Sequence, residues 1–256
     1  MREEIYNQLE AFYRQNGIHP LDFRCPHQNF CRGFAHNGEM TEAKMSMLGS
    51  QYGEKYPRIV VVSLDPPLGE KSLFRFPAQR TTANILNDHE NRDYSADRPN
   101  PHWAMTLIMV RSILSLFGYE PDEPDAAVVT ESYAGRPLAN TTPYFAHVNV
   151  AKCSMNHSDK GQAARQVHEI CGKSYLKQEL EILQPEILIS QGKNANEVVG
   201  QLLMGRAVKL DELPAVFELQ LNQKPFLWLP MHHPARYTAE IRRHWPFYEK
   251  KILAWK

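Results

Sequence analysis

Four runs of apolar residues set the rhythm of the chain. Residues 58–64 read Arg-Ile-Val-Val-Val-Ser-Leu, β-branched and continuous rather than alternating, which predicts a strand buried on both faces and therefore a parallel sheet. Residues 144–150, 186–190 and 226–229 repeat the theme with aromatic and branched aliphatic side chains. Between these runs the apolar positions change to helical spacing. Ile5, Leu9, Phe12 and Tyr13 predict an amphipathic helix over 3–15, and Leu107, Met109, Val110, Ile113, Leu114 and Phe117 predict another over 103–117 that stops at Gly118. Further helices are predicted over 163–183, over 195–204, and from the segment after His233 to the C-terminus. Strand and helix alternate four times. That order predicts an α/β fold, a three-layer α/β/α sandwich around a central four-stranded, mainly parallel sheet. No boundary or internal repeat interrupts 1–256, so a single domain is expected, with the polar stretches 77–101 and 119–143 as insertions.

Polar residues collect where the strands end. Ligands of open α/β sheets bind at the carboxyl ends of the strands, so Asp65, Asn149, Gly192 and His233 are expected to meet on one rim. The run that ends in Asn149-Val150-Ala151-Lys152-Cys153 delivers an amide and a thiol within a few residues, one to read a ligand and one to hold something. Residues 25–31, Cys-Pro-His-Gln-Asn-Phe-Cys, carry too much Pro and Asn for a regular element and are expected to form an irregular loop.

Composition excludes some classes. No run of about 18 apolar residues exists to span a bilayer. The opening Met1-Arg2-Glu3-Glu4 has no apolar signal region, so a reducing cytoplasm is expected and disulfides are not. Lys and Arg number 29 against 29 Asp and Glu, so any nucleic-acid face must be a local patch. The four cysteines, at 25, 31, 153 and 171, form two pairs with none left over. In a reducing compartment such a set points to a Cys₄ metal site, and zinc and a [4Fe–4S] cluster both satisfy the count.

In this order the motifs resemble the uracil-DNA glycosylase superfamily, most closely its iron–sulfur, family 4-like branch. The resemblance rests on Cys25 and Cys31, Leu64-Asp65-Pro66, Asn149 to Cys153, Cys171 with Tyr175-Leu176, Pro185 to Ile189 followed by Gly192, and His233-Pro234-Ala235. It covers nearly the whole chain. The longer gap between the first two cysteines, the Asp-Pro-Pro of the first motif and the two insertions depart from that branch.

The resemblance implies a monofunctional DNA glycosylase that flips out uracil or another altered pyrimidine and hydrolyses its N-glycosidic bond, leaving an abasic site. It implies a [4Fe–4S] cluster held by Cys25, Cys31, Cys153 and Cys171. Asp65 would activate the attacking water and stabilise the cationic sugar, and His233, with His232 as its rival, would donate to the departing base. Asn149 would read the base and Phe76, with Phe74 as its rival, would stack on it. Arg236 and Tyr237 would wedge the duplex and hold its backbone, with Arg242 and Arg243 behind them. The partner is DNA, the expected state a monomer, and no lyase step is expected because no Lys is evident at a strand end to form a Schiff base. The departures leave room for a hypermodified phage base such as glucosylated hydroxymethylcytosine, which would make this an antiviral defence enzyme. A non-catalytic iron–sulfur nucleic-acid binder is the reading from another class.

Overall fold

The four apolar runs become the four central strands of one sheet. The computed structural model describes residues 1–19, 22–35, 45–64, 101–120, 141–153 and 164–256. Asp65, Phe74, Phe76 and most of the two expected insertions lie outside them. Strands β4 (Ile59–Ser63), β5 (Phe145–Asn149), β6 (Ile187–Gln191) and β8 (Lys224–Met231) run parallel to one another, and β4 to β6 are buried at every position. Burial on both faces is what continuous apolar runs specify.

Among the described residues the sheet has six strands, not the four expected from the sequence. Its order is β3-β5-β4-β6-β8-β7, and both edges are antiparallel. Strand β3 is only Met47–Leu48, too short to leave a periodic signal. Strand β7 (Phe217–Leu221) makes a hairpin with β8 through Asn222 and Gln223, both at positive φ, as a two-residue turn that matches strand twist requires. A separate two-stranded ribbon pairs β1 (Ile18–His19) with β2 (Asp22–Phe23).

Alternate residues of each strand feed two different cores. Val60, Val62, Ala146, Val148, Leu188 and Trp228 face helix α1 (Arg2–Gln15), the pair α4 (Arg165–Cys171) and α5 (Lys177–Leu183), and α6 (Lys193–Met204). Ile59, Val61, Phe145, Ile187, Ile189, Leu227 and Leu229 face α3 (Pro101–Leu116) and the C-terminal α7 (Thr238–Trp255). Helices therefore cover both faces of a mixed sheet, as an α/β fold requires. No helix among the described residues is long and apolar enough to cross a membrane.

Three local features place the site. The segment 25–31 is not irregular throughout, because α2 (Gln28–Arg32) runs through it; Pro26 precedes its first turn, where a missing N–H costs nothing. A π-helical turn, Gly172–Leu176, separates α4 from α5 immediately after Cys171, and a Cβ on Gly172 would stand 2.6 Å from Val198 of α6. Between β6 and α6, Gly192 adopts φ +92°, a conformation that side chains other than glycine resist.

Candidate functional site

The chain leaves β4 for β5 on one side and leaves β6 for β8 on the other, so a crevice is expected at the carboxyl ends of β4 and β6. Ser63 and Gln191 end those strands, and the Ser63 hydroxyl donates to Gln191 Oε1 at 3.1 Å. Asn149 ends β5 beside Ser63 in parallel register. The period of two puts Ser63, His147, Asn149 and Gln191 on the α3 side of the sheet, in line with Val61, Phe145 and Ile189.

The first turns of α3 close over this row. His147 Nε2 lies 2.8 Å and His102 Nε2 3.4 Å from Ser63 Oγ, while Trp103 packs its ring 4.7 Å from that of His147. Because the Ser63 proton goes to Gln191, the serine oxygen is an acceptor, which suits a protonated His147 Nε2. Thr106 donates to the His102 carbonyl at 2.8 Å and accepts from Gln191 Nε2 at 3.0 Å, tying helix to strand. His102 is held neutral: burial first, and then the charge of His233, lowers its pKa from 6.5 to about 4.

His233 and His232 face different ways. The His233 ring lies 5.1 Å from that of His102, on the rim, and burial followed by Arg236 lowers its pKa. The His232 ring instead packs 5.3 Å from Tyr237 and 5.4 Å from His244 of α7. Arg236 and Tyr237 are exposed on the turn between β8 and α7, and their backbone N–H groups donate to the His233 carbonyl at 3.1 and 3.0 Å. Among the described residues, two buried polar atoms on the rim have no hydrogen-bond partner, Asn149 Oδ1 and His233 Nδ1. An unpaired buried acceptor costs about 1–3 kcal/mol, so a polar group brought to the rim would find a bond to complete there.

The four cysteines lie on the other face, in or against the core of α1 and α4, and none is in a disulfide. The Tyr175 hydroxyl on the π-helical turn is 3.2 Å from Cys25 Sγ. Burial, then the bond to Cys25, then charge on Cys25, Cys171 and Cys153 hold that phenol protonated. Burial pushes the Cys171 thiol up to about 12; the Lys152 backbone N–H and ammonium oppose this, and Cys31 and Cys25 add to it. Burial and Cys25 also raise Cys31. Cys25, Cys31 and Cys171 are thus within electrostatic reach of one another, and Cys153 is within reach of Tyr175. Among the described residues no group of three or more His, Cys, Asp or Glu side chains is gathered closely enough to hold one metal ion. In number and kind the four thiols are the donors that an iron–sulfur cluster takes, and the positive charge of bound iron would relieve the repulsion among Cys25, Cys31 and Cys171.

Lys152 corrects the expectation that no lysine stands at a strand end. It follows β5 by three residues and is almost wholly buried, but its ammonium is committed, donating to the Asn149 carbonyl at 2.6 Å and to the Glu179 carboxylate. Sequence reasoning also passed over Ser63, His102, His147 and Gln191. Each is the polar residue that ends or faces an apolar run, and aligning the strands by their carboxyl ends would have exposed three of them. No protein-family model matches the chain, and no curated protein is significantly similar to it.

Proposed function

We propose that the chain is a monofunctional DNA glycosylase that removes uracil or another altered pyrimidine. The observation that carries this reading is the buried, unpaired Asn149 Oδ1 at the carboxyl end of β5, on the rim that also carries His233 with its own unpaired nitrogen. A carboxamide offers one acceptor and two donors, which suits the Watson–Crick edge of a flipped pyrimidine.

Cleavage leaves positive charge on the sugar and negative charge on the departing base. His233, kept neutral by burial, donates one N–H to the base oxygen as charge develops there; removing such a donor costs about 3–4 kcal/mol in comparable sites. Asp65, two residues beyond Ser63, orients the attacking water, a contribution of about 10²–10⁴ in rate. Phe76 stacks on the base, and Arg236 and Tyr237 engage the backbone beside the lesion. Asp65 and Phe76 enter from the motif order alone. Cys25, Cys31, Cys153 and Cys171 would hold a [4Fe–4S] cluster, which would supply a covalent brace between the α2 segment, the end of β5 and α4. Base release stops at the abasic site, since the ammonium of Lys152 is already bonded and does not act as a nucleophile.

The test is a panel of single- and double-stranded oligonucleotides carrying uracil, other altered pyrimidines and glucosylated hydroxymethylcytosine, treated with anaerobically purified protein and then with alkali. Strand breaks at one of these bases, lost in Asp65→Asn and in Asn149→Ala, are expected. Tight DNA binding with no abasic site on any substrate would overturn the enzyme reading in favour of a non-catalytic binder.

A further inference from the structure

Beneath the rim, on the cysteine side, lies a polar chain that the chemistry above does not use. Glu179 of α5 is fully buried, as is Tyr13 of α1, and Ser46 nearly so. The Tyr13 hydroxyl donates to Glu179 Oε1, Ser46 Oγ donates to the same oxygen at 3.1 Å, and the Ser46 backbone N–H donates to the Tyr13 oxygen at 3.0 Å. The other carboxylate oxygen, Oε2, accepts from Lys152, whose ammonium also donates to the Asn149 carbonyl. The backbone N–H of Lys152 bonds to Cys171. One residue therefore touches the main chain of the rim amide, a thiol, and a carboxylate anchored on a helix nearly 140 residues earlier in the chain.

A buried ion pair is a poor way to stabilise a fold. Desolvating two charges costs several kcal/mol per ion, and apolar residues of the same shape usually do as well or better. What this pair does is fix a direction. The peptide that joins Asn149 to Val150 is held from two sides: its N–H donates to the Ser63 carbonyl of β4 at 2.9 Å, and its carbonyl, at the end of the strand, accepts from Lys152 at 2.6 Å, so the Lys152 bond completes the fixing of that peptide plane. The carboxamide, whose oxygen has no partner of its own, takes its aim from that plane.

We infer that Lys152 and Glu179 are positioning residues that aim the Asn149 carboxamide into the rim, with Tyr13 and Ser46 as the anchor. This deepens the proposed base-reading role of Asn149, and its test does not depend on base release. In ¹⁵N-labelled protein the Asn149 side-chain amide pair is identified by its loss in Asn149→Ala. The parent is expected to show one sharp pair shifted from the values of a free amide. In the double variant Lys152→Met with Glu179→Leu, the Tyr13 and Ser46 hydroxyls, 2.9 Å apart, still satisfy each other, so melting no lower than the parent is expected. There the Asn149 pair should collapse to free-amide shifts or broaden away. Glu179→Gln, which keeps the shape and weakens the hold on Lys152, should shift the pair partway and serves if the double variant does not fold. Asn149 signals unchanged in either folded variant, or already unshifted in the parent, would overturn the inference. Absence of glycosylase activity with the NMR result intact would instead remove the glycosylase reading and leave the positioning role standing.

Discussion

His102 makes acid sensitivity a quantitative expectation. Its imidazole sits between Ser63 and His233, and its pKa falls from the ordinary 6.5 to about 4, chiefly because burial opposes the charged form. A folded-state pKa below the unfolded one means that the unfolded chain binds the proton first. The stabilisation is therefore complete above pH 6.5 and is lost as pH falls towards 4. At about 1.4 kcal/mol per pH unit the full span is worth about 3 kcal/mol, trimmed to roughly 2–3 by the partial exposure of the ring. The assay is urea unfolding of the parent and of His102→Phe at half-unit steps from pH 7.5 to 3.5. The phenyl ring keeps the contact with His233 and cannot titrate. His19, His232, His233 and His244 also have lowered pKa values and act on both proteins, so the difference between the two curves isolates His102. That difference should narrow by about 2–3 kcal/mol in favour of the variant between pH 6.5 and 4. A difference constant within about 0.5 kcal/mol over that range would refute the placement of a neutral imidazole on the rim.

Other outcomes follow from the same geometry. Lys152→Met alone strands the Glu179 carboxylate in the core and should cost about 3–5 kcal/mol, a melting temperature lower by roughly 10 °C, whereas the double variant should recover it. Gly172→Ala drives a methyl into Val198 of α6 and should cost about 1–3 kcal/mol by chemical denaturation. Anaerobically purified protein should be brown, with four irons that fall away in Cys171→Ser; colourless protein with a full complement of zinc would remove the cluster. DNA affinity should fall steeply with salt, and Arg236→Gln should reduce the slope of log affinity against log salt by about one.

The legible part of this chain was whatever is buried on two sides. Val60 to Val62, Val148 and Ile187 to Ile189 announce central parallel strands because no polar residue is tolerated on either face, and α1 announces itself through Ile5, Leu9, Phe12 and Tyr13. The edges were not legible. Met47–Leu48 is too short for any period, and Phe217 to Leu221 does alternate but closes on Asn222-Gln223, where a glycine would have flagged the turn. On the rim, the positions of Asn149 and His233 were legible because each polar residue follows a continuous apolar run. His102 was not, since it belongs to a helix start after a long polar stretch, and only the fold brings it to His233. The Lys152–Glu179 pair was invisible for a plainer reason, that a charged residue on a predicted helix reads as solvent-facing until its burial is seen.

Strand β4 lies at the centre of the sheet yet comes early in the chain. Its partners begin at Phe145 and Ile187, whereas its own first residue is Ile59, so both of its ladders join segments far apart in sequence. At about 5–20 residues per second of synthesis, β4, with four apolar residues in succession, emerges from the ribosome roughly 4–17 seconds before β5 can pair with it. Contacts this distant also make for slow folding. The nascent chain must keep Ile59 to Val62 from sticking to other strands through that interval, which makes chaperone dependence and inclusion bodies at high expression rates the practical signature of this topology.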